Sequence, residues 1–412
     1  MLRVLGQTWP LMVGVMLLMV GNGVQGTLLG IRGTLESFST FHMSIVMSAY
    51  FLGFLIGSRL APAMIRNVGH VRVFAALGSL ISATLVLYPM LVEWQVWAVM
   101  RVVIGFGFAG IYITAESWLN NTVTNETRGQ ALSAYMIVQM LGIVASQALL
   151  GFGDPFGYEL LLIPSVLVSL AFMPLLLAKS PAPTFEATTR LGFRELFKIS
   201  PVGFVGMLIS GGVFSAMFGM ASVYGTLALM SFQQIAMFTT ALYIGGLVFQ
   251  YPVGWLSDRM DRRSIMLWLS IAATLVMALA SFVSLPFVAV LAVAAILGGI
   301  TYPMYSLIIA YTNDYLDKDQ MAAASAGLIF LNGCGAVFGP LVTGWLMGAV
   351  GPHGFFLFIG GLYLLHAGYI LWRMSRRAAP AVAGSYIGMS PTASSVAAAA
   401  VLEGSHEVPN RS

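Results

Sequence analysis

Glu116 lies within a long apolar run, flanked by Ala115 and Ser117. A carboxyl in such a place can brace the fold against a basic neighbour. It can also take up and release a proton, or hold a cation, because drying disfavours the charged form and wetting restores it. Arg101 stands fifteen residues earlier in the same run. That is about 22 Å along a helix at 1.5 Å per residue, so the two cannot pair directly. At 100° per residue, Arg101, Gly105, Phe108, Tyr112 and Glu116 share a sector of roughly 80°. For Arg101, snorkelling to the nearer end of the run competes with a functional role.

Other polar residues interrupt apolar runs. Asn22 and Gln25 share a face through their three-residue spacing, and Gln139, Gln147, Tyr302, Tyr305 and Asn332 are similarly placed. Each can glue helices together, worth around 1 kcal/mol, or contact a solute. As a set with Tyr112, these amides and phenols suit hydroxylated or amphipathic small molecules better than multiply charged ones. Other chemistries find no support. His42, His70, His353, His366 and His406 show no metal-ligand spacing, and Cys334 is alone, so neither a metal nor an internal disulfide is expected. No H-E-x-x-H, Ser/His/Asp grouping or G-x-x-x-x-G-K-[ST] occurs, which argues against an enzyme, a cofactor and direct ATP drive.

The elements that carry these residues follow from composition. Of 412 residues, 58% are hydrophobic and 8% charged, against about 25% charged in soluble domains, so most of the surface must face lipid. Apolar runs fall near 9–31, 41–62, 71–91, 95–119, 129–151, 158–178, 201–227, 233–255, 264–284, 287–312, 321–348 and 354–373. Each is long enough for a crossing of about 20 residues, and only a helix satisfies its own backbone there. The first run has no closing small-x-small site and is read as a retained helix rather than a signal peptide. Residues 179–200 mix prolines and charges, with Phe193, Leu196 and Phe197 predicting a short interfacial helix. The tail from Ala378 is rich in Ala, Ser, Pro and Gly without period, so disorder is expected. All but Arg32 and Arg101 of the nineteen basic residues fall on one side if the runs alternate, which predicts that both termini are cytoplasmic. Basic residues scattered over short loops, at a net charge of +4, do not make a nucleic-acid surface.

The two halves repeat. A shift of 193 residues lays Leu141–Gly151 over Cys334–Gly344, and sets Tyr50 on Tyr243, Gly53 on Gly246, Arg66 on Arg259, Gly105 on Gly298 and Tyr112 on Tyr305. Parallel repeats of this kind are a transporter pattern, with substrate bound near the midplane between them. Gly254-Trp-Leu-Ser-Asp258-Arg259-Met-Asp261-Arg262-Arg263 resembles the loop signature G-x-x-x-D-R-x-G-R-R of the major facilitator superfamily, with Asp261 in place of the second glycine. The first-half loop, Arg66-Asn-Val-Gly-His-Val-Arg72, is a degenerate version. Arg101-Val-Val-Ile-Gly105-Phe-Gly107-Phe-Ala109 is similar to the family's R-x-x-x-G-x-G-x-A motif. Within the superfamily, Met47–Gly53, Ala115–Leu119, Ala131–Met136 and Gln250–Gly254 resemble the bacterial YcaD-like branch. The proline-glycine signature of drug and proton antiporters is absent from the fifth run, where Ser146-Gln147 stand.

The resemblance implies an all-α membrane protein of twelve transmembrane helices in two pseudo-symmetric bundles, 1–178 and 201–377. A cytoplasmic linker at 179–200 and a disordered tail at 378–412 complete it. It further implies a monomeric inner-membrane secondary transporter working by alternating access, with a small organic solute and protons as partners and export favoured. Carriage of a lipid or amphipath is the rival on the same fold; a membrane sensor or enzyme is the rival from another class. Arg66, Asp258, Arg259, Arg262 and Arg263 are then either a positive anchor or a charge latch at the cytoplasmic gate. An aspartate adds nothing to orientation, which favours the latch.

Overall fold

The computed structural model describes residues 2–151, 153–154, 157–177, 192–316, 318–376, 386 and 388–394. Among them are thirteen helices and no strand: α1 Leu2–Leu35, α2 Thr40–Val68, α3 His70–Leu87, α4 Trp94–Thr122, α5 Asn125–Leu150, α6 Glu159–Leu177, α7 Phe193–Ile199, α8 Pro201–Leu227, α9 Phe232–Ser257, α10 Arg262–Phe282, α11 Phe287–Asn313, α12 Lys318–Val350 and α13 Gly354–Met374. Eleven are long and apolar enough to cross a membrane. The twelfth, α6, carries Pro164 and Pro174, and its apolar part is the shorter stretch Glu159–Pro174. The short α7 lies where Phe193, Leu196 and Phe197 predict an interfacial helix, and it buries Leu196. Residues 179–191 fall outside the described residues.

Local chemistry sets the ends. Ser39 caps α2, Ser200 caps α8 ahead of Pro201, and Ser231 and Gln234 form a reciprocal capping box on α9. Gly69 and Gly351, both at positive φ, turn the chain between α2 and α3 and between α12 and α13.

Successive long helices reverse direction, so the loop-signature residues and Arg66 share one end, called here the basic face. Helices α1–α6 pack chiefly among themselves, α2 on α4 and α1 on α5 and α6; α8–α13 repeat this with α9 on α11 and α8 on α12. The closest contacts are glycine-mediated. A Cβ on Gly105 would be driven into the backbone carbonyl of Tyr50, and one on Gly298 into that of Leu242. Likewise Gly142 meets Met16 and Gly335 meets Leu208. Gly105 and Gly298 are 193 apart, but Tyr50 and Leu242 are 192 apart. Gly53 is therefore matched in space by Gly245, each against a carbonyl of the partner helix, and not by Gly246 as the constant shift places it. The repeat carries one extra residue in the second half, between α9 and α11.

Where the halves meet, the face opposite the basic one is closed. There Gly30 touches Ser222, Ser44 touches Gly344, and Ser48 Oγ donates to the carbonyl of Val337. Nearer the basic face, each half is pinned internally. In the first, His70 Nε2 and Ser117 Oγ lie 2.9 Å apart. In the second, Arg262 Nη1 donates to the carbonyl of Ala310 at 3.1 Å and to Asp314 Oδ1 at 2.6 Å, with both charged side chains 2% exposed. Tyr386 and Gly388–Ser394, expected in a disordered tail, have no regular structure but are largely buried between the halves. The rest of that tail, 378–385, 387 and 395–412, falls outside the described residues.

Candidate functional site

Glu116 is fully buried on α4, on the cavity side where the halves approach. Tyr135 and Gln139 of α5 stand beside it and line a small cavity with Gly388 and Met389. The second half meets this segment from the other side, with Gln250 of α9 on Tyr386, Ser306 of α11 on Met389 and Asn332 of α12 on Pro391; Tyr305 of α11 is buried beside Ser306. Gln250 Nε2 donates to Ser306 Oγ at 3.1 Å. Toward the basic face the space widens into a cavity of about 450 Å³ between α5 and α9, lined by Met136, Gln250, Tyr251, Trp255, Asp258 and Arg259 among others. Several polar atoms in these walls make no hydrogen bond among the described residues: Gln139 Nε2, Gln250 Oε1, Asn332 Oδ1 and Tyr305 Oη. Buried polar atoms normally find partners, so unspent ones around a cavity mark where a solute can bind.

Arg101 does not snorkel. It is fully buried in the first half, donating from Nη1 to Gln25 Oε1 at 2.8 Å, with its guanidinium carbon 4.5 Å from the centre of the Tyr50 ring. Gln25 in turn donates to Tyr88 Oη at 3.4 Å. A cation over a desolvated ring gains about 2 kcal/mol, and the amide supplies a carbonyl in place of water. Asn22 is buried on the same helix as Gln25. Tyr112 Oη donates to Met19 Sδ at 3.4 Å, and Tyr302 packs its ring against Phe214 and Tyr243. Gln147 lies apart, accepting from Thr27 Oγ1 at 3.1 Å, so it ties α5 to α1.

The loop residues divide as well. Arg66 is exposed. Arg262 belongs to the buried pin described above, and Arg263 pairs with Asp261 at 3.0 Å. Arg259 covers the Trp255 ring at 4.1 Å. Asp258 reaches Arg262 only at 3.9 Å, and its Oδ1 accepts the backbone N–H of Tyr386 at 2.8 Å. The Tyr386 hydroxyl accepts from Gln250 Nε2 at 2.9 Å, and burial pushes its phenol pKa up, so it stays neutral. Asp258→Asn should leave abundance near normal, since a half-exposed pair contributes at most about 1 kcal/mol. It should slow transport if the charge works as a latch. Unchanged flux in vesicles would leave Asp258 only as an anchor.

Sequence reasoning missed Tyr135, Gln250, Ser306, Asp314 and the buried tail. Gln250 was legible in principle, being an amide inside an apolar run. Tyr386 and Met389 were too, as bulky side chains in a tail otherwise of small residues.

Known proteins place this geometry. The sequence model of the Major Facilitator Superfamily matches residues 11–233 and 228–398. The chain is 25% identical over 358 residues to the MFS-type transporter YcaD of Escherichia fergusonii, covering 86% of this chain and 93% of that one. It is 26% identical over 372 residues to an MFS-type transporter of Yersinia enterocolitica, covering 90% and 96%. The crystal structure of the nucleoside transporter NupG matches with a TM-score of 0.77 at 14% identity, over 90% of this chain and 100% of that one. An inward-facing, occupied bacterial homolog of the human lysosomal transporter Spinster matches with a TM-score of 0.71 at 16% identity, over 89% and 96%. These two structures speak for the fold alone. With the superfamily's sequence pattern running through both halves, this multi-pass membrane protein belongs to the Major Facilitator Superfamily.

Proposed function

We propose that the chain is a secondary transporter, carrying a small organic solute by alternating access in exchange with or alongside protons, with export favoured. The observation that supports this most is Glu116, a fully buried acid on a small cavity with Tyr135, Gln139 and the segment Gly388–Ala393, which Ser306 and Asn332 of the second half hold through Met389 and Pro391. Side chains of both halves thus converge on one space, and rocking the halves would expose it to either side in turn. Glu116 is assigned to proton coupling, Arg101 to a fixed positive charge farther along α4, and Gln139, Asn332 and Tyr305 to the solute. The chain acts as a monomer in the bacterial inner membrane, with the basic face cytoplasmic.

A thermal-shift screen against metabolites and amphipaths identifies cargo, since a ligand that binds only the folded state raises apparent stability. Vesicles loaded with purified protein should then concentrate that cargo under an imposed pH gradient and lose it when a protonophore is added. Accumulation indifferent to the protonophore overturns proton coupling. Reporter fusions after Arg190 and Arg377 should read cytoplasmic and one after Asp154 external; an external reading after Arg377 contradicts the assigned orientation.

Carriage of an amphipath is the second reading. It draws on the 450 Å³ cavity between α5 and α9, flanked by the exposed side chains of Tyr251 and Trp255. Aromatic side chains of this kind sit at membrane interfaces, where an acyl chain could enter sideways. Cargo extracted from the bilayer more readily than from water favours this reading over the first.

A further inference from the structure

We propose that Tyr386 and Gly388–Ser394 are a tethered ligand of the transport cavity, a plug that holds the carrier open toward the basic face until cargo displaces it. The inference rests on the alternating-access reading above. The segment reads like a bound peptide. Its main chain is held at four points by side chains of both halves. Tyr386 N–H donates to Asp258 at 2.8 Å and Met389 N–H to Ser306 Oγ at 2.9 Å; the Pro391 carbonyl accepts from Asn332 Nδ2 at 3.4 Å; and Ser394 N–H donates to Glu116 Oε2 at 2.9 Å. Ser306 Oγ also donates back to the carbonyl of Met389 at 3.2 Å. Irregular backbone at membrane depth is tolerated only where protein satisfies it, and two of the satisfying groups here, Glu116 and Asn332, are ones assigned to proton and cargo.

Geometry gives the contact its consequence. Glu116 is on the first half and Asp258, Ser306 and Asn332 are on the second, so the segment wedges the halves apart at this end. They cannot close there, and so cannot part at the Ser44–Gly344 contact, while it stays. Tethering presents the plug at roughly millimolar effective concentration, so it competes without being tight. A cargo that displaces it should match its pattern: an N–H or ammonium donor for Glu116, an acceptor for Asn332, and a group that does both for Ser306. Amides and amino compounds fit this pattern better than anions.

The test uses the full-length chain with Cys334→Ser. Ser306→Cys with Met389→Cys should form a disulfide under mild oxidation, and absence of the cross-link overturns the placement. Separately, Ser44→Cys reports opening of the opposite face to an impermeant maleimide. Adding Met389→Pro and Ser394→Pro, which delete two N–H donors in a segment without secondary structure, should raise its labelling rate on the order of tenfold. Equal, measurable labelling with and without the prolines overturns the plug alone. No labelling in either protein overturns alternating access, and the plug with it.

Discussion

Glu116→Gln should leave cargo exchange across a vesicle intact and abolish its accumulation against a gradient. Glutamine keeps the shape of the protonated acid and cannot ionise, so the variant is fixed in one protonation state. Its side-chain oxygen can still accept the Ser394 N–H that Glu116 accepts now, so the local structure has no reason to change. A carboxyl couples because its proton affinity differs between a dry and a wet cavity. Once it cannot titrate, cargo moves only down its own gradient. With one proton per cargo, a pH difference of one unit supports about tenfold accumulation, and the variant should show none of it. Accumulation equal to wild type would make Glu116 a brace and put the coupling elsewhere.

Gly105→Ala should lower the melting temperature sharply, although it adds a single methyl group. The Cβ would enter the backbone carbonyl of Tyr50, and backbone cannot rotate aside as a side chain can. Either α4 backs away from α2 or the variant fails to pack. Small residues at such crossings let helices approach in the absence of a hydrophobic drive between them. Overpacking of this kind costs about 3 kcal/mol, a large share of the 5–15 kcal/mol that proteins typically hold in reserve. Gly298→Ala should behave alike against Leu242. Gly361→Ala is the control: no atom lies within 4 Å of the added carbon, and alanine favours helix. Size-exclusion profiles and melting temperatures check this, and a Gly105→Ala protein that melts with the wild type refutes the close-contact account.

What was legible follows from which forces act locally. Lipid leaves helix as the one solution for long apolar runs, so composition predicts the all-helical membrane fold, and the loop and fourth-helix motifs predict the family. The pairing of repeats was legible only to within one residue. Gly105 and Gly298 align by sequence because both sit in similar motifs, but matching Gly53 to Gly245 requires knowing which face meets the partner helix. Glu116 lies in α4, where the fourth apolar run places it, and it is fully buried there. The Arg101–Gln25 contact joins residues 76 apart, and the Arg262–Asp314 pair residues 52 apart, so no local spacing announces either. The buried tail escaped for the same reason. A segment without helical or strand period can still be ordered when partners far away in sequence satisfy its backbone.

The unequal pins at the basic ends bear on how strain is shared as the halves move. His70 and Ser117 hold the first half by a neutral contact of about 1 kcal/mol, while Arg262 and Asp314 hold the second by a sealed ion pair whose rupture costs about 3–5 kcal/mol. Two levers grown from one repeating plan therefore differ in compliance. On the alternating-access reading, the second half would swing as the stiff arm, with bending taken up in the first where α3 and α4 meet at His70 and Ser117.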